Sequence, residues 1–449
     1  MGKLIIDCLI LIFNELQKEN KSLYSCLLVN KEWCHLVVPI LWEKCQDFSI
    51  CDNSKEKLSN TILSCLPTSS KQLLLENNIR LPQTILSKPL TFNYVSFCKF
   101  ISYKIIINIK NMVFKEKTLR KCNYSKEGNL LEQEIYKLFI SQCKNIKRLK
   151  WINCHPLSLF PGALTCFSQL YSLALSLSLV NSNDLFEMAH ICKHLNQLTV
   201  YGCSQDVPGL ISLINAQRNL KSVSLSFNII KKGNCEELSK VLAKKGCTID
   251  NLTLYNSVGA IPHSFLTSFV NLKNLTIRHD YESDEKEIKE LQKYLSISKF
   301  PNFETLDFDS YSPYFKELAM LIEETKGNIT YISITTFNKS AENTGMLIKA
   351  IANNCPNINY LTTYLGPEDL IYVKSLLINC ENLTNLCFKS LNSNYNIGDE
   401  LLDILTKFSP KGLCNIRISG EWEYSIDAFK KFFESFRERK LLCFNIIDN

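Results

Sequence analysis

The chain is short of the residues around which most enzymes and metal proteins are built. Only six His occur in 449 residues, and none stands in a recognisable triad setting. His190 and His194 are four apart, but the segment reads HICKH; a zinc protease needs HExxH, with the Glu as base. The fourteen Gly are scattered, so no glycine-rich loop can wrap a phosphate. The acidic run DYESDEKE at Asp280 lacks the Asp-x-Asp-x-Asp-Gly spacing of a calcium loop. It reads as a loop leading into a helix N-terminus, where acids are favoured. No CxxC pair occurs, and no apolar run reaches the ~18 residues that span a bilayer. No catalytic residue, metal or cofactor is expected.

What is present is a large stock of core-forming residues. Hydrophobic content is 46% against 21% charged, the composition of a folded protein with room for two or three domains or one long solenoid. Twenty Cys spread through apolar segments of a long chain read as buried thiols of an intracellular protein, not as a disulfide framework. The apolar N-terminal run contains Asp7 and no small-residue cleavage site follows, which argues against a signal peptide. Gly2 is not followed by Ser or Thr at position 6, so myristoylation is not expected.

The net charge of +7 has a location. From Lys99 to Lys126 there are eight Lys or Arg and one acid, Glu116. A basic segment can grip phosphates. This one interleaves with Ile105–Ile109, so its cations read better as the solvated face of a buried element, and no nucleic acid is expected as a partner.

From residue 143 onward the chain repeats. Segments of the form LxxLxL begin at Ile146, Leu170, Leu195, Leu220, Ile249, Leu272, Phe303, Ile329, Ile358, Leu383 and Leu413, 23 to 31 residues apart. A further one, Leu441-Phe444-Ile446, closes the end. In three of them the pattern extends to a Cys or Asn: Cys154, Cys203 and Asn228. Cys143, Cys192, Cys355 and Cys380 fall three residues before an anchor, and Cys247 two before. Helical stretches lie between, two of them with capping-box spacing: Asn234 with Glu237, and Asp284 with Glu287. A strand alternates its faces, so each unit turns its anchors inward and its neighbours outward. No unit can bury its apolar face alone; stacking supplies one continuous core. The outward positions are where a ligand would be read. Tyr201, Tyr255, Tyr331, Tyr360 and Tyr364 offer rigid contact area, and charge changes sign from Arg148 and Lys150 to Asp307 and Asp309, with Arg278 between.

The N-terminal stretch has helical spacing. Leu9, Ile12, Phe13 and Leu16 share one stripe; after a polar gap come Leu23, Leu27, Leu28, Trp33, Leu36, Val37, Ile40 and Leu41, with Pro39 expected to break the run near its end. Read in order, Leu4, Asp7, Leu9, Ile12, Phe13 and Leu16, then Leu23, Cys26, Val29, Trp33, Leu36, Leu41 and Trp42, resemble the F-box, a three-helix module of ubiquitin-ligase substrate receptors. One departure stands out: the family's early Pro is Ile5 here. The downstream array resembles the cysteine-containing leucine-rich repeats that often accompany an F-box.

The resemblance implies an α/β solenoid. A short helical F-box at 1–45 would be followed by a mostly helical linker at 46–142, with diverged repeats in it. A repeat horseshoe would occupy 143–449, strands concave and helices convex. It implies no catalysis, but docking of a Skp-type adaptor, and through it a cullin, on Leu4, Ile5, Leu9, Ile12, Phe13, Leu16, Leu23, Val29, Trp33, Leu36, Pro39 and Trp42. The repeats would hold an unnamed protein substrate, in the cytoplasm or nucleus, with no membrane partner. Alternatives left open are a repeat scaffold without ligase association and an extracellular receptor. For the latter, Asn251, Asn274, Asn328 and Asn382 sit in glycosylation triplets, but on strands where glycans would crowd the concave wall.

Overall fold

The computed structural model describes residues 5–16, 20–43, 52–82, 90–114, 125–230, 233–338, 342–391, 396–420, 422–437, 439 and 441–447. Two compact units emerge, residues 1–198 with 208–219, and residues 199–207 with 220–449.

The strands among the described residues are β1 (Phe100–Ile101), β2 (Arg148–Trp151), β3 (Ser172–Ser176), β4 (Gln197–Cys203), β5 (Ser222–Phe227) and β6 (Asn251–Tyr255). They continue with β7 (Asn274–His279), β8 (Thr305–Ser310), β9 (Tyr331–Thr336), β10 (Tyr360–Leu365), β11 (Asn385–Ser390), β12 (Asn415–Ser419) and β13 (Cys443–Ile447). They form one sheet in chain order, and helices alternate with them from β2 onward. The fold is therefore an α/β repeat solenoid. All three anchors of each of the eleven predicted repeats are at most 3% exposed, so the LxxLxL spacing marks the core.

One backbone device recurs along the array. The residue after the first anchor offers its carbonyl to two N–H groups of the next repeat. Lys221 O accepts from Asp250 and Asn251 at 2.9 and 3.1 Å, and Asp250 O from Lys273 and Asn274 at 2.8 and 3.0 Å. The same pattern runs on to Cys414 O, which accepts from Leu442 and Cys443. This fixes the register, so equal positions of successive repeats stand in rows.

The recurring spacing of the cysteines has a physical reading. Cys143, Cys192, Cys355 and Cys380 are buried, and the Cys192 and Cys380 thiols reach the carbonyls of Leu170 and Cys355 in the preceding repeat. Burial pushes Cys192 and Cys380 up to about 12, which keeps them as inert thiols. Cys247, two residues from its anchor rather than three, is exposed.

Two local expectations are corrected. The helix Glu236–Lys244 is not capped by Asn234; Asp206 from the preceding repeat accepts from the N–H groups of Glu237 and Leu238 at 2.8 and 2.9 Å. Asp284 does stand at the N-cap of the helix Glu285–Ile297, but its side chain makes no cap bond. Adjacent repeats come close enough that a side chain at Gly209 would strike the Ser182 carbonyl of the preceding helix, and one at Gly398 the Glu423 carbonyl in the loop before the helix Ile426–Ser435.

Candidate functional site

Two surfaces present themselves. The first is built by three helices at the N-terminus: α1 (Ile6–Leu16), α2 (Asn20–Cys26) and α3 (Lys31–Glu43). Asn30 starts α3 by accepting from the Trp33 N–H at 2.8 Å. Pro39 does not break it. The ring removes only its own N–H, and the flanking Val38 and Ile40 are buried and hold the last turn. Leu9, Phe13, Leu23, Cys26, Val37 and Ile40 form a separate small core, with Leu16, Trp33 and Leu36 packed on its rim. Phe13 meets Trp33 edge-on at 5.0 Å.

The predicted docking residues therefore divide. Leu9, Phe13 and Leu23 are buried inside the bundle and shape it from within. Trp42 is spent on a ring contact with Tyr94 at 4.8 Å, and Pro39 is half-buried in α3. Leu4 lies outside the described residues. Ile5, Ile12 and Val29 face solvent at 70, 44 and 57% exposure, and are joined by Ile6, Leu11, Tyr24 and Leu28, the last at 89%. The sequence reading named none of these four among the docking residues. The signal was present in α1: a helix with one buried face does not need Ile5, Ile6, Leu11 and Ile12 as well as Leu9 and Phe13.

The second surface is the outward face of β5–β12. Register sets Asn251, Asn274, Thr305, Tyr331, Tyr360, Asn385 and Asn415 in one row. The next row holds Ser224, Thr253, Thr276, Asp307, Ser333, Thr362, Cys387 and Arg417. Beside it stand Tyr255, Arg278 and Asp309. Tyr331 and Tyr360 stack face to face, 4.5 Å apart and 11° from parallel. Partial burial pushes the Tyr331 phenol up, so it stays a neutral donor. Arg278 donates to Asp307 at 2.7 Å, which raises the guanidinium further.

That ion pair offsets the charge of Asp307, one of the two acids expected to make this stretch negative. Tyr364 is corrected. It is only 7% exposed, folded against Phe315 at 6.0 Å, with its hydroxyl donating to Thr336 O at 2.6 Å; burial is the main cause of its raised pKa. In the first unit Arg148 and Lys150 are exposed, Arg148 lying over the Phe100 ring at 4.7 Å. Tyr201 is exposed in the second unit.

Other singled-out residues take structural places. Lys110, from the basic segment, is buried and paired with buried Glu132 at 2.8 Å. Residues 115–124 of that segment lie outside the described residues. His190 lies in the last turn of the helix Ser182–Ile191, whereas His194 lies beyond it. Asn328 and Asn382 sit in exposed positions before β9 and β11, not on strands as expected. Among the described residues no group of three His, Cys, Asp or Glu is placed to hold a metal, and no helix is long and apolar enough to cross a membrane.

No family model and no curated protein matches the chain. Among solved structures it is similar to the Rad7–Elc1 complex of yeast, at 14% identity and a TM-score of 0.42, with 93% of each chain covered. A leucine-rich-repeat protein of Legionella pneumophila, LegL7, gives 16% and 0.34 over 67% of this chain and 91% of its own. An internalin of Listeria monocytogenes gives 15% and 0.32 over 70% of each.

Proposed function

We propose that the chain is a non-catalytic substrate receptor of a Skp–cullin–F-box ubiquitin ligase. The observation that carries this reading is the three-helix bundle with its own core and its cluster of exposed apolar side chains, on a stretch whose residue order resembles the F-box. A Skp-type adaptor would cover Ile5, Ile6, Leu11, Ile12, Leu28 and Val29. The repeat face around Tyr255, Arg278, Tyr331 and Tyr360 would hold a protein substrate, its aromatic and Arg side chains serving as anchors. The chain makes no bond itself. Holding substrate beside the ubiquitin carrier raises their effective concentration.

The test is a double change, Leu11→Glu with Leu28→Glu, read by pull-down of co-expressed adaptor. Both side chains are exposed, so the fold should survive while the adaptor is lost. Full retention of adaptor would overturn the docking surface. One observation favours a second reading, a repeat scaffold without ligase association. Ile5 stands where the family has the Pro through which the resemblance puts an adaptor contact.

A further inference from the structure

The first unit keeps its acids off its sheet. No Asp or Glu occurs between Glu76 and Glu116, between Glu134 and Asp184, or between Glu187 and Asp206, the stretches that supply β1, β2, β3 and the start of β4. Every described acid of this unit stands on a helix. Glu127, Glu132 and Glu134 are on Lys126–Gln142, Asp184 and Glu187 on Ser182–Ile191, and the others on helices before residue 77. The strands of the second unit differ, with Asp307 and Asp309 on β8.

Cations take the acid-free face. Exposure alternates along β2, so Arg148 and Lys150 point outward while Leu149 and Trp151 turn in. Lys144 and Lys147, just before the strand, are exposed as well. Lys147 N–H donates to Lys99 O at 2.7 Å, which sets Lys99 beside Lys147 at one end of the sheet. The Phe100 ring beneath Arg148 holds its guanidinium in place. Lys144, Lys147 and Lys150 make no ion pair among the described residues. Like charges gathered without acids of their own repel one another, and an anionic partner relieves that repulsion.

The neighbouring strand limits the occupant. In register, Arg148 stands beside Ser172 and Lys150 beside Ala174, and Ser176 continues the row. These side chains are small and uncharged, so the cations border a low shelf and do not continue across it. A nucleic acid draws its affinity from a long run of phosphates met by successive cations. A short acidic stretch of a protein needs no such track. Arg148 and Lys150 lie two residues apart on one strand, about 7 Å, which is also the spacing of alternate side chains in a second extended chain.

We propose that this face of the first unit receives an extended acidic segment of a protein, with carboxylates at alternate positions. The segment would lie along β2 over the shelf of β3, set two acids at Arg148 and Lys150, and bring a further one to Lys147 and Lys144. The inference rests on the reading of the repeat face as the surface that holds a protein substrate, and it names the chemistry of that substrate.

The probe is a fluorescein-labelled Gly-Ser peptide with Glu at alternate positions; its control carries Gln in place of Glu. Fluorescence anisotropy with the full chain should give saturable binding at least tenfold tighter for the Glu peptide. Lys147→Glu with Lys150→Glu, both exposed, should weaken it tenfold or more. Lys349→Glu with Lys411→Glu makes the same change of net charge at exposed positions of the second unit, and should leave binding within twofold. No binding, an equal loss in both double variants, or tighter binding of a single-stranded DNA of the same charge overturns the proposal. Adaptor pull-down on the same samples keeps the two readings apart. Adaptor retained without peptide binding sinks the acidic-segment site alone, whereas peptide bound without adaptor sinks the ligase reading alone.

Discussion

The inner repeats and the N-terminal bundle handle apolar side chains in opposite ways. Across β5–β12 the anchors are covered, and Tyr255, at 36%, is the large apolar side chain these strands expose. Within Ile5–Glu43 seven stand in the open, from Ile12 at 44% to Leu28 at 89%. A repeat has a neighbour to bury its face; the bundle covers Phe13 and Leu23 itself and leaves the rest. Residual apolar surface on a folded module needs a partner. The bundle is thus best read as a connector, and the array as a rigid frame on which polar rows are displayed.

That contrast can be broken at several points. The largest effect is expected at an anchor. Phe303→Ala empties a fully buried site and should cost about 3–5 kcal/mol in urea unfolding. Leu28→Ala, on the bundle, should leave stability within about 0.5 kcal/mol and act on adaptor affinity alone. If both changes were equally destabilising, the distinction between covered and displayed side chains would fail. Next comes the buried ion pair: Lys110→Met strands Glu132 in the core, at a cost of about 3–5 kcal/mol by the same measurement. Asp206→Ala should remove about 1 kcal/mol and loosen the start of the helix Glu236–Lys244, seen as faster amide exchange at Glu237 and Leu238. The smallest effect is on the displayed face. Tyr255→Ala should change stability by less than about 0.5 kcal/mol, and any effect should appear in substrate capture only.

The repeat core was fully legible in the sequence, because LxxLxL has a period that burial alone enforces. The cysteines three residues before an anchor were legible for the same reason, whereas Cys154 and Cys247, expected to be buried with them, are exposed. What was not legible is anything settled between repeats. Asp206, 30 residues from the helix it caps, takes the place expected of Asn234, since spacing within one segment cannot reveal a donor in the segment before. Tyr364 sits in the outward alternation of β10 but turns in to meet Thr336 O, a choice made by local packing at the strand end. In the bundle the apolar stripe predicted the core well; Phe13 and Leu23 were named as docking residues by the resemblance to the F-box, and periodicity alone does not say which side of a helix is covered. The short strand β1, lost among the mixed-period residues near Tyr94–Ile107, was too brief to leave a pattern.

The most direct test of the account is co-expression of the chain with a Skp-type adaptor, followed by size-exclusion chromatography at moderate salt. One stoichiometric peak for the wild type, resolved into two by Leu11→Glu with Leu28→Glu, is the predicted result. Two separate peaks for the wild type would contradict it, and the exposed face of α1–α3 would then need a partner of another kind.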